Sequence, residues 1–212
     1  MDEIIMQVAR ALACQTRLAL LSCLARGEEL SPSALAAELQ LPLYVVSTQI
    51  RRLVSAGLIQ QRRSGVWAYC QPRSPYGQRT FSGRVSAWVL GLLKHPDQAL
   101  HHCRVVQLCN DPSPAAKVQA LIFEAATAFT NVRRLQLLRH LSKGREARVD
   151  VLTGTLRMSE AAVSRHMAKL ARRGYVSRTR KKKTIAFGLN KTMRTPLHDE
   201  LFELVRQEWR RG

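Results

Sequence analysis

Long hydrophobic runs are missing from this chain of 212 residues. None approaches the ~18 residues that a membrane span needs, so no spanning segment is expected. The start does not read as a secretory signal, because Asp2 and Glu3 open it and Gln7 and Arg10 interrupt its apolar stretch. Acidic residues are scarce: Asp plus Glu number 15 against 34 Lys plus Arg, a formal charge of +19. Paired carboxylates for acid–base chemistry have few candidates. Nor is there a phosphate-cradling glycine loop, a His-Glu-x-x-His pair or a nucleophile elbow. The six histidines are scattered and form no legible triad, so neither an enzyme nor a cofactor is expected. Cysteine is too sparse for a disulfide framework, five residues without regular spacing, and a reduced cytoplasmic protein fits better.

What the chain does have is positive charge and an internal repeat. An excess of this size favours polyanion partners. It is uneven: residues 1–106 carry 12 basic and 6 acidic side chains, residues 107–212 carry 22 and 9. The second half should hold a polyanion harder. Sliding the sequence by 117 places lays residues 11–70 on 128–187 without a gap. Identical pairs include Arg17/Arg134, Leu18/Leu135, Leu21/Leu138, Leu24/Leu141, Gly27/Gly144, Leu35/Leu152, Leu39/Leu156, Val46/Val163, Ser47/Ser164, Leu53/Leu170 and Gly57/Gly174. Most are apolar or Gly, the types that set packing and turns. The period is too long for a solenoid, so this is a tandem duplication.

Each copy reads in the same order. In the first, 16–24 is an amphipathic helix ending near Gly27, and Ser31-Pro32 caps a short helix to Leu39. Leu41-Pro42 starts a longer helix by the same device, which Gly57 stops. Short runs over 58–62 and 66–70 around Arg63-Ser64-Gly65 read as a β-hairpin. In the second copy 134–141 precedes a short helix over 149–156, Ser159 caps a helix to Arg173, and 175–179 pairs with 184–189. Helices are also expected over 81–95, 97–108, 115–130 and 196–210. The expected fold is mainly α with small β-hairpin wings. It comprises a winged helix-turn-helix over 1–75, a helical connector over 76–113, and a second winged helix-turn-helix with a terminal helix over 114–212.

At Ala13-Cys14-Gln15-Thr16-Arg17-Leu18-Ala19-Leu20-Leu21 the chain resembles the opening signature of the arsenic-repressor (ArsR) family of winged-helix regulators. Residues 39–57 and 156–174 are similar to the family's helix-turn-helix, most closely over 158–167. The resemblance covers about 60 residues of each copy, and copy one is looser, with Leu43 and Tyr44 where small polar residues are usual. The family's Cys-x-Cys arsenic site is absent from both copies. Its usual Asp-Pro is Cys14-Gln15 here and Asn131-Val132 in copy two, so metal sensing is not carried over. The resemblance implies a DNA-binding transcription regulator, a repressor in the simplest case. It also implies two-fold dimers closed by terminal helices. The tandem copy would replace that dimer by an intramolecular pseudo-dimer, with half-sites about 34–36 Å apart. A further homodimer of chains stays open, the effector is unknown, and DNA-bound chains would associate with the nucleoid.

The candidate DNA-binding residues follow from helical geometry, about 100° per residue. Val163, Met167 and Leu170 form one stripe and should face the core. Glu160, Ser164 and Arg165 lie in the first turns, where base edges are met, and Arg pairs bidentately with guanine. Lys169 and Arg172 suit phosphate, and His166 either packs or contacts DNA. In copy one Val46, Ile50 and Leu53 face inward, leaving Tyr44, Ser47, Thr48, Arg51 and Arg52 outward. Arg62 and Arg63 mark one wing, and Arg178, Arg180, Lys181, Lys182 and Lys183 the other. Such concentrated like charge repels unless a polyanion relieves it. The bland reading is a solvated basic face on a protein-interaction or architectural module. Cys14 and Cys23, nine residues apart, would point to opposite sides of one helix and read as inert thiols. His101, His102, Cys103 and Cys109 include the usual zinc ligand types, but 103 and 109 would lie about 240° apart on a helix and adjacent residues rarely converge on one ion, so metal binding there stays open.

Overall fold

The computed structural model describes residues 1–104, 113–144, 146–181 and 184–211, and gives for 181 and 184 the backbone alone. Copy one runs α1 (Asp2–Leu12), α2 (Gln15–Leu24), α3 (Pro32–Leu39), α4 (Leu43–Ser55), β1 (Gln60–Ser64), β2 (Trp67–Gln71) and α5 (Phe81–Lys94). A short α6 (Pro96–Cys103) follows. Copy two runs α7 (Pro114–Thr127), α8 (Val132–Lys143), β3 (Glu146–Arg148), α9 (Val149–Leu156), α10 (Glu160–Arg172), β4 (Val176–Lys181), β5 (Thr184–Leu189) and α11 (Pro196–Arg211). The fold is mainly helical with small antiparallel hairpins.

The offset of 117 found in the sequence extends past the aligned segment. It carries α1 onto α7 and α5 onto α11. It also carries backbone detail. Gln40 and Arg157, the C-caps of α3 and α9, both take left-handed φ, 52° and 49°. Gly57 and Gly174 stop α4 and α10 at φ 68° and 77°. The sheets correspond as well. In copy two β3 pairs with β5 through Ala147 and Phe187, within the order β3-β5-β4. In copy one the same strand shrinks to a single bridge, Leu30 with Cys70.

Helix starts follow local chemistry. Ser31 Oγ accepts from the Ala34 N–H at 3.1 Å, with Pro32 in the first turn. Thr80, Ser113, Asn131 and Ser159 cap α5, α7, α8 and α10 in the same way. Pro42 departs from the expected device. It is the N-cap residue itself, so α4 begins at Leu43 without a side-chain cap. Cys14 is likewise an extended N-cap (φ −155°) and not part of a helix with Cys23. The helix expected over 97–108 ends at Cys103, because Arg104 turns left-handed at φ 51°. Cys109 lies outside the described residues, and the helical angle assumed between it and Cys103 falls away. β3 was not anticipated. The first hairpin is also shifted: Leu58 and Ile59 are buried before β1 starts, and Val66 sits in the turn.

One core runs through both copies. The stripes Val46, Ile50, Leu53 and Val163, Met167, Leu170 seat α4 and α10 on it. Between the copies α1, α5, α7 and α11 pack on one another. Phe129 stacks on Phe202 at 6.2 Å and meets Tyr175 edge-on at 5.1 Å, while Phe202 meets Trp209 edge-on. Polar contacts tie the two copies together. Trp209 Nε1 donates to Asp2 Oδ1 at 3.1 Å and Arg10 Nε to the Thr130 carbonyl at 3.1 Å. Arg84 pairs with Glu208 at 2.9 Å, and Trp88 Nε1 donates to Glu200 at 2.8 Å. Trp88 and Trp209 satisfy their N–H groups while burying most of their rings, which suits a mixed interface.

Candidate nucleic-acid interface

The turn before each long helix is held by local bonds. Leu41 N–H reaches the Ala36 carbonyl at 3.0 Å, and its counterpart Met158 N–H reaches Thr153 at 3.2 Å. This fixes the crossing of α3 on α4 and of α9 on α10. The outward stripes are thereby set by which residues are buried.

On α10 the outward face is Glu160, Ser164, Arg165, Lys169 and Arg172, all exposed. Among the described residues none of Arg165, Lys169, Arg172, Arg178 or Arg180 is in an ion pair. Arg178 and Arg180 stand exposed on β4, paired in register with Phe187 and Ile185. Lys181 closes β4, and Lys182 and Lys183 lie outside the described residues. His166 is half-buried, and burial first, then the charges of Arg134, Arg165, Lys169 and Arg133, hold its pKa below the ordinary value. The ring is therefore neutral at pH 7, with its Nδ1 buried and unpartnered among the described residues.

On α4, Tyr44 is 75% exposed and Leu43 51%. Ser47 and Thr48 are half-buried, Arg51 and Arg52 exposed. Thr48 Oγ1 donates to the Tyr44 carbonyl at 2.8 Å and receives Arg51 Nη2 at 3.3 Å. Arg63 is exposed on β1. Arg62 is differently placed: it pairs with Glu29 at 2.8 Å and lies 5.5 Å over the Tyr69 ring. The first wing is thus partly neutralised from within.

Two residues whose role was not foreseen stabilise the site from behind. Arg17 and Arg134 are buried in equivalent positions. Arg17 donates through Nε to the Ala11 carbonyl, through Nη2 to the Arg10 carbonyl and through Nη1 to Gln49, all at 2.7 Å. Arg134 donates through Nε to the Ala128 carbonyl at 2.9 Å, and through Nη2 to the Thr127 carbonyl at 2.8 Å and Thr130 Oγ1 at 2.6 Å. Each fork closes the C-terminal end of one helix onto the start of the next. The signal was present, since both are identical under the repeat, but the sequence does not reveal that carbonyls are their targets.

Cys23, Cys70 and Cys103 are buried. Burial pushes the thiols of Cys23 and Cys70 up to about 11, and raises that of Cys103. Among the described residues no group of three or more His, Cys, Asp or Glu side chains converges as a metal site. His101 and His102 are exposed, and His102 pairs with Glu200 at 3.3 Å. No single described helix is long and apolar enough to cross a membrane.

Two helix-turn-helix units, each followed by a hairpin, define a winged helix-turn-helix protein of the DNA-binding transcription-regulator class. Residues 12–62 match a family described as a helix-turn-helix domain, and residues 131–178 one described as bacterial regulatory protein, arsR family. HlyU from Vibrio cholerae is 31% identical over 43% of this chain and 95% of its own, with a TM-score of 0.37. The homodimeric winged helix-turn-helix DNA-binding domain of Mb0332 from Mycobacterium bovis, described as a possible ArsR-family transcriptional regulator, is 29% identical. It covers 47% of this chain and 85% of its own, with a TM-score of 0.37. No curated protein matches the chain. The chain thus carries the helix-turn-helix unit twice in tandem, and the second copy matches the arsR family.

Proposed function

We propose that this protein is a sequence-specific binder of double-stranded DNA that represses by occupying a promoter, with its two winged helices acting as an intramolecular pseudo-dimer. The observation that carries the reading is the exposed cationic stripe Arg165, Lys169 and Arg172, without ion pairs among the described residues, on the helix that leads into the wing strand bearing Arg178 and Arg180. Exposed arginine and lysine are suited to phosphates and to guanine edges. The site comprises Glu160, Ser164, Arg165, His166, Lys169, Arg172, Arg178, Arg180, Lys181, Lys182 and Lys183 in copy two, where His166 supports the helix from its half-buried position. In copy one it comprises Tyr44, Ser47, Thr48, Arg51, Arg52, Arg62 and Arg63. Residues 1–75 and 114–212 form the two heads, and 76–113 connect them.

The pseudo-dimer is supported by equivalent helices meeting in pairs, α1 against α7 and α5 against α11. A covalent link removes the concentration dependence of assembly. The working unit is then one chain on one duplex, and it acts where the DNA is, in the cytoplasm. Arg165→Glu with Arg180→Glu, measured by fluorescence anisotropy on a random-sequence duplex pool, should abolish binding. Wild-type affinity should fall steeply between 50 and 200 mM salt, about 10³-fold or more for six or more phosphate contacts. Binding that ignores salt, or a double variant that binds like wild type, sinks the reading.

A further inference from the structure

The repeat places the two heads in register, and at that register their outward faces differ in chemistry. Leu43, Tyr44, Thr48 and Arg51 stand where copy two has Glu160, Ala161, Arg165 and Ala168. The wings differ in the same sense. The tip Ser64, Gly65, Val66 and Trp67 corresponds to Lys181, Lys182, Lys183 and Thr184 in the sequence. Val66 is 94% exposed and Trp67 62%. At positions 43 and 48 of its long helix and at its wing tip, head one therefore has uncharged side chains where head two has charged ones, while Arg51 stands where head two has alanine.

The local bonding of Thr48 sharpens this contrast. Its hydroxyl already donates to Tyr44 and accepts from Arg51. Its only proton is committed, so it offers a ligand its methyl group and one acceptor lone pair, with the exposed Tyr44 one turn before it on the same face. Among the described residues the Arg165 guanidinium has no hydrogen-bond partner, which leaves its fork of donors to a ligand. In the major groove thymine is marked by its C5 methyl and guanine by N7 and O6. Apolar contact suits the first and a free guanidinium the second.

From this, and resting on the DNA-binding reading above, we propose that the heads read different base chemistries. Head one recognises thymine methyl groups in an A·T-rich half-site through Thr48, Leu43 and Tyr44, while head two recognises guanine through Arg165. The operator is a composite of two unlike half-sites and not a palindrome. Duplex DNA is the occupant favoured for the apolar face, because Arg51, Arg52 and Arg63 border it and are exposed.

The test begins with selection of bound duplexes from a random pool by the full-length chain. The winning duplex is then resynthesised with deoxyuridine for thymine in one half-site, or 7-deazaguanine for guanine in the other. Each lost methyl contact should weaken wild-type binding about fourfold. Thr48→Ser, which keeps the hydroxyl and removes the methyl, should bind the normal duplex more weakly and lose the response. The 7-deaza substitution should cost about 5- to 100-fold, and Arg165→Ala should no longer feel it. Identical half-sites, indifference to deoxyuridine, or a Thr48→Ser protein that responds like wild type overturns the composite operator and leaves sequence-specific binding standing. Enrichment of no sequence, with salt-sensitive binding retained, overturns both.

Discussion

Replacing Arg134 by Leu removes the fork that joins the end of α7 to the start of α8. Three hydrogen bonds are lost, to the Ala128 and Thr127 carbonyls and to Thr130 Oγ1. Bonds to a charged donor are each worth about 1.5–3 kcal/mol, which bounds the loss from above. Two effects lower it. The guanidinium is itself buried at a cost, shown by its lowered pKa, for which burial is the larger cause and Arg173 the smaller. A surface cleft lined by Thr127, Ala128, Thr130 and Arg134 also lets water reach the abandoned carbonyls. The balance is a destabilisation of about 2–4 kcal/mol. For a chain of this size that lowers Tm by about 4–15 °C. Urea unfolding followed by circular dichroism measures it, and Arg17→Leu should lose a similar amount, since it too gives up two carbonyl bonds and a third, here to Gln49 on α4. Arg134→Lys should recover little, since a point charge cannot span two carbonyls and a hydroxyl. The folded Arg134→Leu protein should keep wild-type DNA affinity within about twofold if the role is structural. Unfolding free energies within about 0.5 kcal/mol of wild type, or a loss of DNA affinity without a loss of stability, would refute the reasoning.

Other perturbations separate the remaining claims. Gly174→Ala meets Arg194 Cβ at 2.6 Å in a backbone at φ +77°, so it should cost about 2–4 kcal/mol in thermal unfolding, well above an ordinary helix-end substitution. His198 is fully buried, its Nδ1 bonded to Thr195 Oγ1 at 2.8 Å, and burial followed by the charges of Arg194 and Arg173 lowers its pKa to about 4. The unfolded chain binds that proton near pH 6.5, so stability is full above that value and falls as pH drops toward 4. The loss is about 3 kcal/mol at most, and a His198→Asn protein should show a flatter unfolding profile from pH 7 to 4.5. Phe202→Ala, which strips the aromatic stack on Phe129, should cost about 3–5 kcal/mol. Sedimentation equilibrium of wild type should give one chain per particle, and a stable two-chain species would count against the pseudo-dimer as the working unit.

The duplication was legible because packing and turns constrain residue type. Leu18, Leu135, Gly57 and Gly174 repeat where the core and the left-handed helix stops repeat. Helix starts at Ser31 and Ser159 were legible because a capping hydroxyl acts on its own neighbours. The outward cations of α10 followed from helical period alone. Less legible were features that depend on distant chain. β3 is three residues long, too short to show a period, and exists because β5 offers it an edge. α6 ends at Arg104, a residue type that carries no stop signal. Pro42 caps α4 where a Pro in the first turn was expected, a shift of one residue that local sequence does not resolve.

The sequence by itself determined that the unit occurs twice, where its helices turn, and which side of each long helix is cationic, because these depend on neighbours within one or two turns. Tertiary structure decided what Arg17 and Arg134 bond to, that Arg62 spends its charge on Glu29, and that Trp209 with Asp2, Arg10 with Thr130 and Arg84 with Glu208 join the copies. Those outcomes turn on which carbonyl, carboxylate or ring the folded backbone brings within reach, and partners up to 207 residues apart in the chain meet only once the core has closed.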